Sequence, residues 1–145
     1  MKKTILLLAA FVLLGVLVVV YVPFTPSQPQ PVGADKDAHG CIASAGYTYS
    51  VVRQVCIRVW EQGVALTPVV QIAEPVLAAY VVENAAKTQA EVFMPGLNEG
   101  LVMTRNAQLP LPTWTAPGGW TLTYEPAPGW RLMQGGQLLY ASKAQ

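Results

Sequence analysis

An uncharged apolar run from Ile5 to Val22 divides this chain before any fold can be considered. It is 18 residues long, with only Gly15 and Tyr21 diluting it, and Lys2 and Lys3 precede it. At about 1.5 Å per helical residue it would reach roughly 27 Å, the thickness of a bilayer's hydrocarbon core. A cleaved secretory signal has a shorter apolar region, of roughly 7–15 residues, with small residues close behind it. Here Pro23, Phe24, Thr25 and Pro26 follow, and the nearest cleavage sequence is Val32-Gly33-Ala34. The expectation is an uncleaved single-pass anchor over residues 1–22, with a cleaved signal as the alternative. Both export the rest of the chain, because the lysines stay inside. The expected location is therefore a bacterial inner membrane with the domain in the periplasm, or secretion to the periplasm after cleavage.

Residues 23–34, PFTPSQPQPVGA, contain four prolines and read as a stiff, extended linker. The exported domain then covers residues 35–145, enough chain for one small core. Hydrophobic residues make up 52% of the sequence and charged residues 12%, which excludes a disordered or acidic-tail protein. Formal net charge is +1, so there is no electrostatic footprint for a nucleic-acid backbone. Two cysteines, Cys41 and Cys56, both lie in the exported part. An even pair in an oxidising compartment reads as one disulfide.

After Cys41, Ser50 is a candidate cap for a short helix over residues 51–56 or a little beyond, although the valines there are β-branched and favour it little. From Val64 the pattern becomes short strands and turns. Residues 76–82 and 90–94 read as strands, 95–100 as a turn, and 101–103 as a strand. Residues 106–118 hold three prolines and no clean period, and read as one long loop. Trp120, Leu122 and Tyr124 alternate with Thr121 and Thr123 as a half-buried strand. Gly135-Gly136 is a two-residue hairpin loop between strands 130–134 and 137–141. Regular pairing would set Met133 against Leu138, Leu132 against Leu139 and Arg131 against Tyr140, with Trp130, Leu132 and Leu139 on the core face. Five or six such strands predict a mainly β domain, a small antiparallel barrel or sandwich, with one short helix near the disulfide and a transmembrane helix before it.

The chemistry available to this chain is sparse. There is one histidine, His39, no G-x-S-x-G, no phosphate-binding loop and no paired C-x-x-C, so no catalytic residue and no cofactor is expected. Six glutamates lie in the domain, but no spacing pairs two of them as in a glycosidase. Asp35, Asp37 and Gly40 imitate the opening of a calcium loop, but its twelfth position would be Gly46. A zinc reading would join His39 and Cys41 to Cys56. An exported cysteine pair more often oxidises, and no metal is expected. Among the four tryptophans, Trp120 and Trp130 read as core. Trp114 sits between Pro112 and Pro117, where it either anchors the loop or is presented on it to a partner or a sugar, and Arg105 at the start of that loop could add a charged contact. Trp114 and Arg105 are the candidate binding residues. Arg53 and Arg58 flank Cys56 and read as solvating or bonding the disulfide loop.

Two stretches resemble known proteins. His39-Gly40-Cys41, Ser44-Ala45-Gly46-Tyr47, Ser50 and Cys56-Ile57-Arg58 with Glu61 resemble a segment of small exported proteins of Gram-negative envelopes. That resemblance implies an envelope address and a disulfide. Tyr80-Val81-Val82, then residues 90–96, then strands ending in Leu139-Tyr140, loosely resemble the membrane-bound inhibitors of C-type lysozyme. That resemblance implies a small antiparallel barrel that plugs the lysozyme cleft with a loop. The family's serine- and glycine-rich inhibitory loop has no counterpart in residues 113–119, so no inhibitory residue carries over. The expected function is non-catalytic: the exported domain binds another protein, with a lysozyme-type muramidase as one candidate. The alternative is a structural or assembly subunit of a membrane-anchored complex. Nothing in the sequence sets the oligomeric state.

Overall fold

The structure is a computed structural model that describes residues 35–70 and 77–142. The expected anchor and proline-rich linker, residues 1–34, lie outside the described residues. Ten strands and one short α-helix follow in order. They are β1 (Thr48–Ser50), β2 (Val55–Ile57), α1 (Val59–Gln62), β3 (Val64–Pro68), β4 (Ala79–Glu83) and β5 (Gln89–Phe93). The rest are β6 (Leu101–Arg105), β7 (Thr113–Ala116), β8 (Trp120–Glu125), β9 (Gly129–Gln134) and β10 (Gln137–Ala141).

Strands β3 to β10 close into an eight-stranded barrel in sequence order, and every pairing is antiparallel. Closure removes the free strand edges that would otherwise template aggregation. Eight strands leave an interior just wide enough for side chains to fill. Alternate residues supply them: Leu66, Ala79, Val81, Ala90, Val92, Met103, Trp114, Leu122, Trp130 and Leu132 form one buried cluster. The mainly β, antiparallel class read from the strand pattern is therefore correct, and of the barrel and sandwich expected it is the barrel that forms, with more strands than the five or six expected.

β1 and β2 form a separate two-stranded hairpin, pairing Thr48 with Ile57, Tyr49 with Cys56 and Ser50 with Val55. This corrects the helix expected over residues 51–56. One helical-type turn does form there. The Gln54 N–H donates to the Ser50 carbonyl at 2.7 Å, and the Arg53 N–H donates to Ser50 Oγ at 3.3 Å. Gln54 then takes φ +56°, which ends the turn, and the β-branched Val55 starts a strand. The short helix near the disulfide is instead α1, just after Cys56.

Three further differences have physical causes. The strand expected over 76–82 begins at Ala79; Val76 lies outside the described residues and Leu77 is exposed. The long loop expected over 106–118 contains β7, which Pro112 and Pro117 bracket so closely that no period shows in four residues. The β9–β10 hairpin starts in the expected register, Leu138 against Met133, and then slips. Tyr140 faces Leu132 and Ala141 faces Arg131, because an irregularity falls between Leu138 and Tyr140. Tyr140, not Leu139, therefore packs on the core beside Leu132. The Leu139 carbonyl instead accepts the Val69 N–H at 2.8 Å, next to the β10–β3 seam that closes the barrel.

Candidate functional site

Both candidate binding residues lie at one end of the barrel. That end is where β4, β6 and β8 finish and β5, β7 and β9 begin. Arg105 is the last residue of β6, and Trp114 of β7 is its direct cross-strand partner. The Arg105 guanidinium carbon lies 5.7 Å from the centre of the Trp114 ring, within cation–π range. Trp114 is not the exposed loop aromatic that the sequence suggested. It is 2% exposed, packs on Trp130 with ring centres 5.2 Å apart, and belongs to the core. Its indole Nε1 is buried with no hydrogen-bond partner.

Arg105 itself is exposed, and among the described residues its guanidinium has no ion-pair partner. Its backbone N–H donates to the Thr88 carbonyl at 2.8 Å, which ties it to the loop of residues 84–88. Asn84 stiffens that loop, its Oδ1 accepting the N–H groups of Thr88 at 2.9 Å and Gln89 at 3.1 Å. Glu83 sits beside it at the end of β4. Burial pushes the Glu83 carboxyl above its ordinary value of 4.5, opposed by the positive charges of Lys87, Arg105 and Arg53.

The true loop is residues 106–112. Asn106 Oδ1 accepts the Gln108 N–H at 3.0 Å, and the Asn106 N–H donates to the Thr113 carbonyl at 2.8 Å. Thr113 Oγ1 donates to the Leu111 carbonyl at 3.0 Å, and the Tyr124 N–H donates to the Pro112 carbonyl at 3.0 Å. Pro110 and Pro112 fix φ at alternate positions. On this braced backbone Leu109 and Leu111 are 45% and 44% exposed. Braced loops lose little entropy on binding, so two outward leucines on one are a ready contact surface. The sequence points to this stretch through Trp114, which the structure places in the core. The signal that names the leucines is the Leu-Pro-Leu-Pro string itself, in which alternate prolines leave alternate leucines without a strand to pair with.

Cys41 and Cys56 form the expected disulfide, with their Cα atoms 5.5 Å apart. Both thiols are consumed in it, and His39 stacks on Tyr49 with ring centres 3.7 Å apart. Asp37 Oδ1 accepts the N–H groups of His39 and Cys41, each at 2.8 Å, while Asp35 holds Ser44. The zinc and calcium readings therefore find their residues in other bonds. Among the described residues no group of three or more His, Cys, Asp and Glu comes together to hold a metal ion.

One buried acid escaped sequence reasoning. Glu91 is 0% exposed, and Ser50 Oγ donates to its Oε2 at 2.6 Å. The Val52 N–H approaches the same oxygen at 3.4 Å, while Oε1 has no partner. Glu91 and Glu83 are on adjacent strands, but alternation sends them to opposite faces. Glu83 follows Ala79 and Val81 on the inner parity, whereas Glu91 lies between the core residues Ala90 and Val92 and points outward. They therefore do not make a catalytic pair across a cleft. Glu91 is buried because the hairpin covers it, a contact between residues 41 positions apart that no local spacing announces. Arg53 fastens the hairpin tip to the same wall, its Nε donating to the Glu83 carbonyl at 3.1 Å and its Nη1 to Gln62 Oε1 at 3.0 Å. No family model, curated protein or solved structure matches the chain.

Proposed function

We propose that this chain is a non-catalytic envelope protein whose barrel binds another protein through the end that carries Arg105 and residues 106–112. The observation that carries this reading is the braced loop with Leu109 and Leu111 exposed beside a guanidinium held on the Trp114 ring. Interfaces are built on such anchors: an apolar centre, with arginine among the residue types that dominate binding energy. The partner offers an apolar recess with a carboxylate at its edge. A lysozyme-type muramidase is the first candidate, because an antiparallel barrel and an envelope address both agree with the resemblances in the sequence.

The full chain in detergent is to be assayed against a panel of muramidases, by lysis of cell-wall suspensions and by direct binding. Inhibition that weakens at least about tenfold in a Leu109→Ser, Leu111→Ser variant, and again in Arg105→Ala, supports the reading, since hot-spot losses exceed 1 kcal/mol. Inhibition that survives both variants moves the site elsewhere on the domain. Absence of inhibition across the panel removes the muramidase as partner.

A further inference from the structure

The hairpin side of the domain carries a second surface, of different chemistry. Trp60, on α1, is 52% exposed, unusual for the largest apolar side chain. It is held in place. The corner of its benzo ring rests on Gly46, where an added methyl would collide with Cη2. Gly46 has φ +80°, a conformation suited to glycine, so both the backbone and the absent side chain serve this contact. The residues on either side of Gly46 hold Arg58. Its Nε donates to the Ala45 carbonyl at 3.1 Å, and its guanidinium lies 4.7 Å from the centre of the Tyr47 ring. Arg58 Nη1 pairs with Glu61 Oε1 at 3.1 Å, and both side chains remain open to solvent. The Gly46 and Tyr47 N–H groups close the preceding turn on Ala43 and Ile42, and the disulfide pins its start to β2.

We propose that Trp60, Tyr47 and the Arg58–Glu61 pair form a binding surface for a β-linked, gluco-configured oligosaccharide. Such a sugar has its ring hydroxyls equatorial, so each face of the ring is a flat array of C–H bonds that stacks on an exposed indole. Its vicinal hydroxyls are donors and acceptors together. A guanidinium and a carboxylate side by side meet both needs while carrying no net charge. An anionic partner would be met by the carboxylate as well as the cation, and a cationic one by the reverse. The ion pair therefore favours a neutral polar ligand. A surface braced in advance by Gly46 and the disulfide loses little freedom on binding.

The probes are the β-1,4-linked tetramers of glucose and of N-acetylglucosamine. Each is titrated into the full chain in a detergent without a sugar headgroup, with calorimetry and the tryptophan indole N–H resonances as readouts. Binding that shifts the Trp60 resonance is expected, weakened at least about tenfold by Trp60→Ala, the scale of a hot-spot residue, and largely kept by Trp60→Phe. Glu61→Gln should weaken it less. The Leu109→Ser, Leu111→Ser variant should bind sugar normally, which separates this surface from the protein-binding end. Failure of both tetramers to bind overturns the proposal, as does binding that Trp60→Ala leaves intact. If Trp60→Ala instead removes only the binding of a protein partner, the surface is part of a protein interface and the sugar assignment is wrong.

Discussion

The barrel and the hairpin beside it are built on opposite terms. The barrel buries ten side chains in one contiguous core, and each strand is paired on both edges. The hairpin has three-residue strands and no core of its own. Its buried residues, Ser50 and Ile57, lie in a two-stranded ribbon of a size that is marginal alone. It is held instead by the Cys41–Cys56 bond, by Ser50 on Glu91, and by Arg53 on the Glu83 carbonyl and Gln62. A small piece of chain that cannot bury enough apolar surface is fixed by a covalent bond and a few directed polar contacts. Both proposed surfaces are exposed apolar groups braced by these two kinds of support.

The contrast between barrel and hairpin can be tested by mutation and by pH. The largest effect is expected for Trp114→Ala, which opens the barrel core and should cost about 3–5 kcal/mol in denaturant unfolding. Hydrogen exchange should rise over the whole barrel. A change confined to residues near Arg105 would show that Trp114 is a local platform and not a core residue.

Replacing Cys41 and Cys56 by serine should cost about 3 kcal/mol, the chain-entropy value for a closed loop of roughly 15 residues. Here exchange should rise in β1, β2 and the residues before them while the barrel stays protected. Barrel and hairpin losing protection together would erase the distinction between them.

Ser50→Ala removes the main donor to a fully buried carboxylate and should cost about 1–3 kcal/mol. Equal destabilisation by Ser50→Ala in the disulfide-free protein would show the two fastenings to be independent. A smaller effect there would show that the disulfide is what brings Ser50 to Glu91.

The smallest effects are those of pH. The Glu83 carboxyl is raised by burial, so the folded protein favours its protonated form. The stability that this contributes is full below 4.5 and is lost as pH rises through the folded value. Relative to Glu83→Gln, the natural protein should therefore lose stability as pH climbs above 4.5. Asp35 behaves oppositely. The Ser44 hydroxyl, and then the Ser44 N–H, hold its carboxyl below 3.8, so its contribution is present above 3.8 and fades as pH falls through the folded value. Equal pH profiles for the natural protein and Glu83→Gln would remove the Glu83 assignment, and equal profiles for the natural protein and Asp35→Asn would remove the Asp35 one.

The candidate site was half legible. Arg105 is legible as the residue that opens a proline-rich stretch, and the structure makes it the last residue of β6. The strand that buries Trp114 is not legible, because four residues between two prolines show no period. Only the pairing of Trp114 with Leu122 and Arg105 reveals a strand. Trp60 was visible as a tryptophan, but its exposure depends on Gly46, 14 positions earlier, and on the turn that holds it. Glu91 reads as an ordinary outward strand residue, and alternation predicts nothing about what covers the outside of a barrel.

The β class, the turns at residues 95–100 and 135–136, and the cysteine pair are all readable from the amino-acid order. These are local properties: alternation, glycine and proline placement, and composition act over a few residues. Closure of the sheet, the slip of the last hairpin that packs Tyr140 against the core, and the covering of Glu91 by the disulfide hairpin emerge only in three dimensions. These depend on contacts between residues far apart in the chain, where burial against a distant partner outweighs local preference.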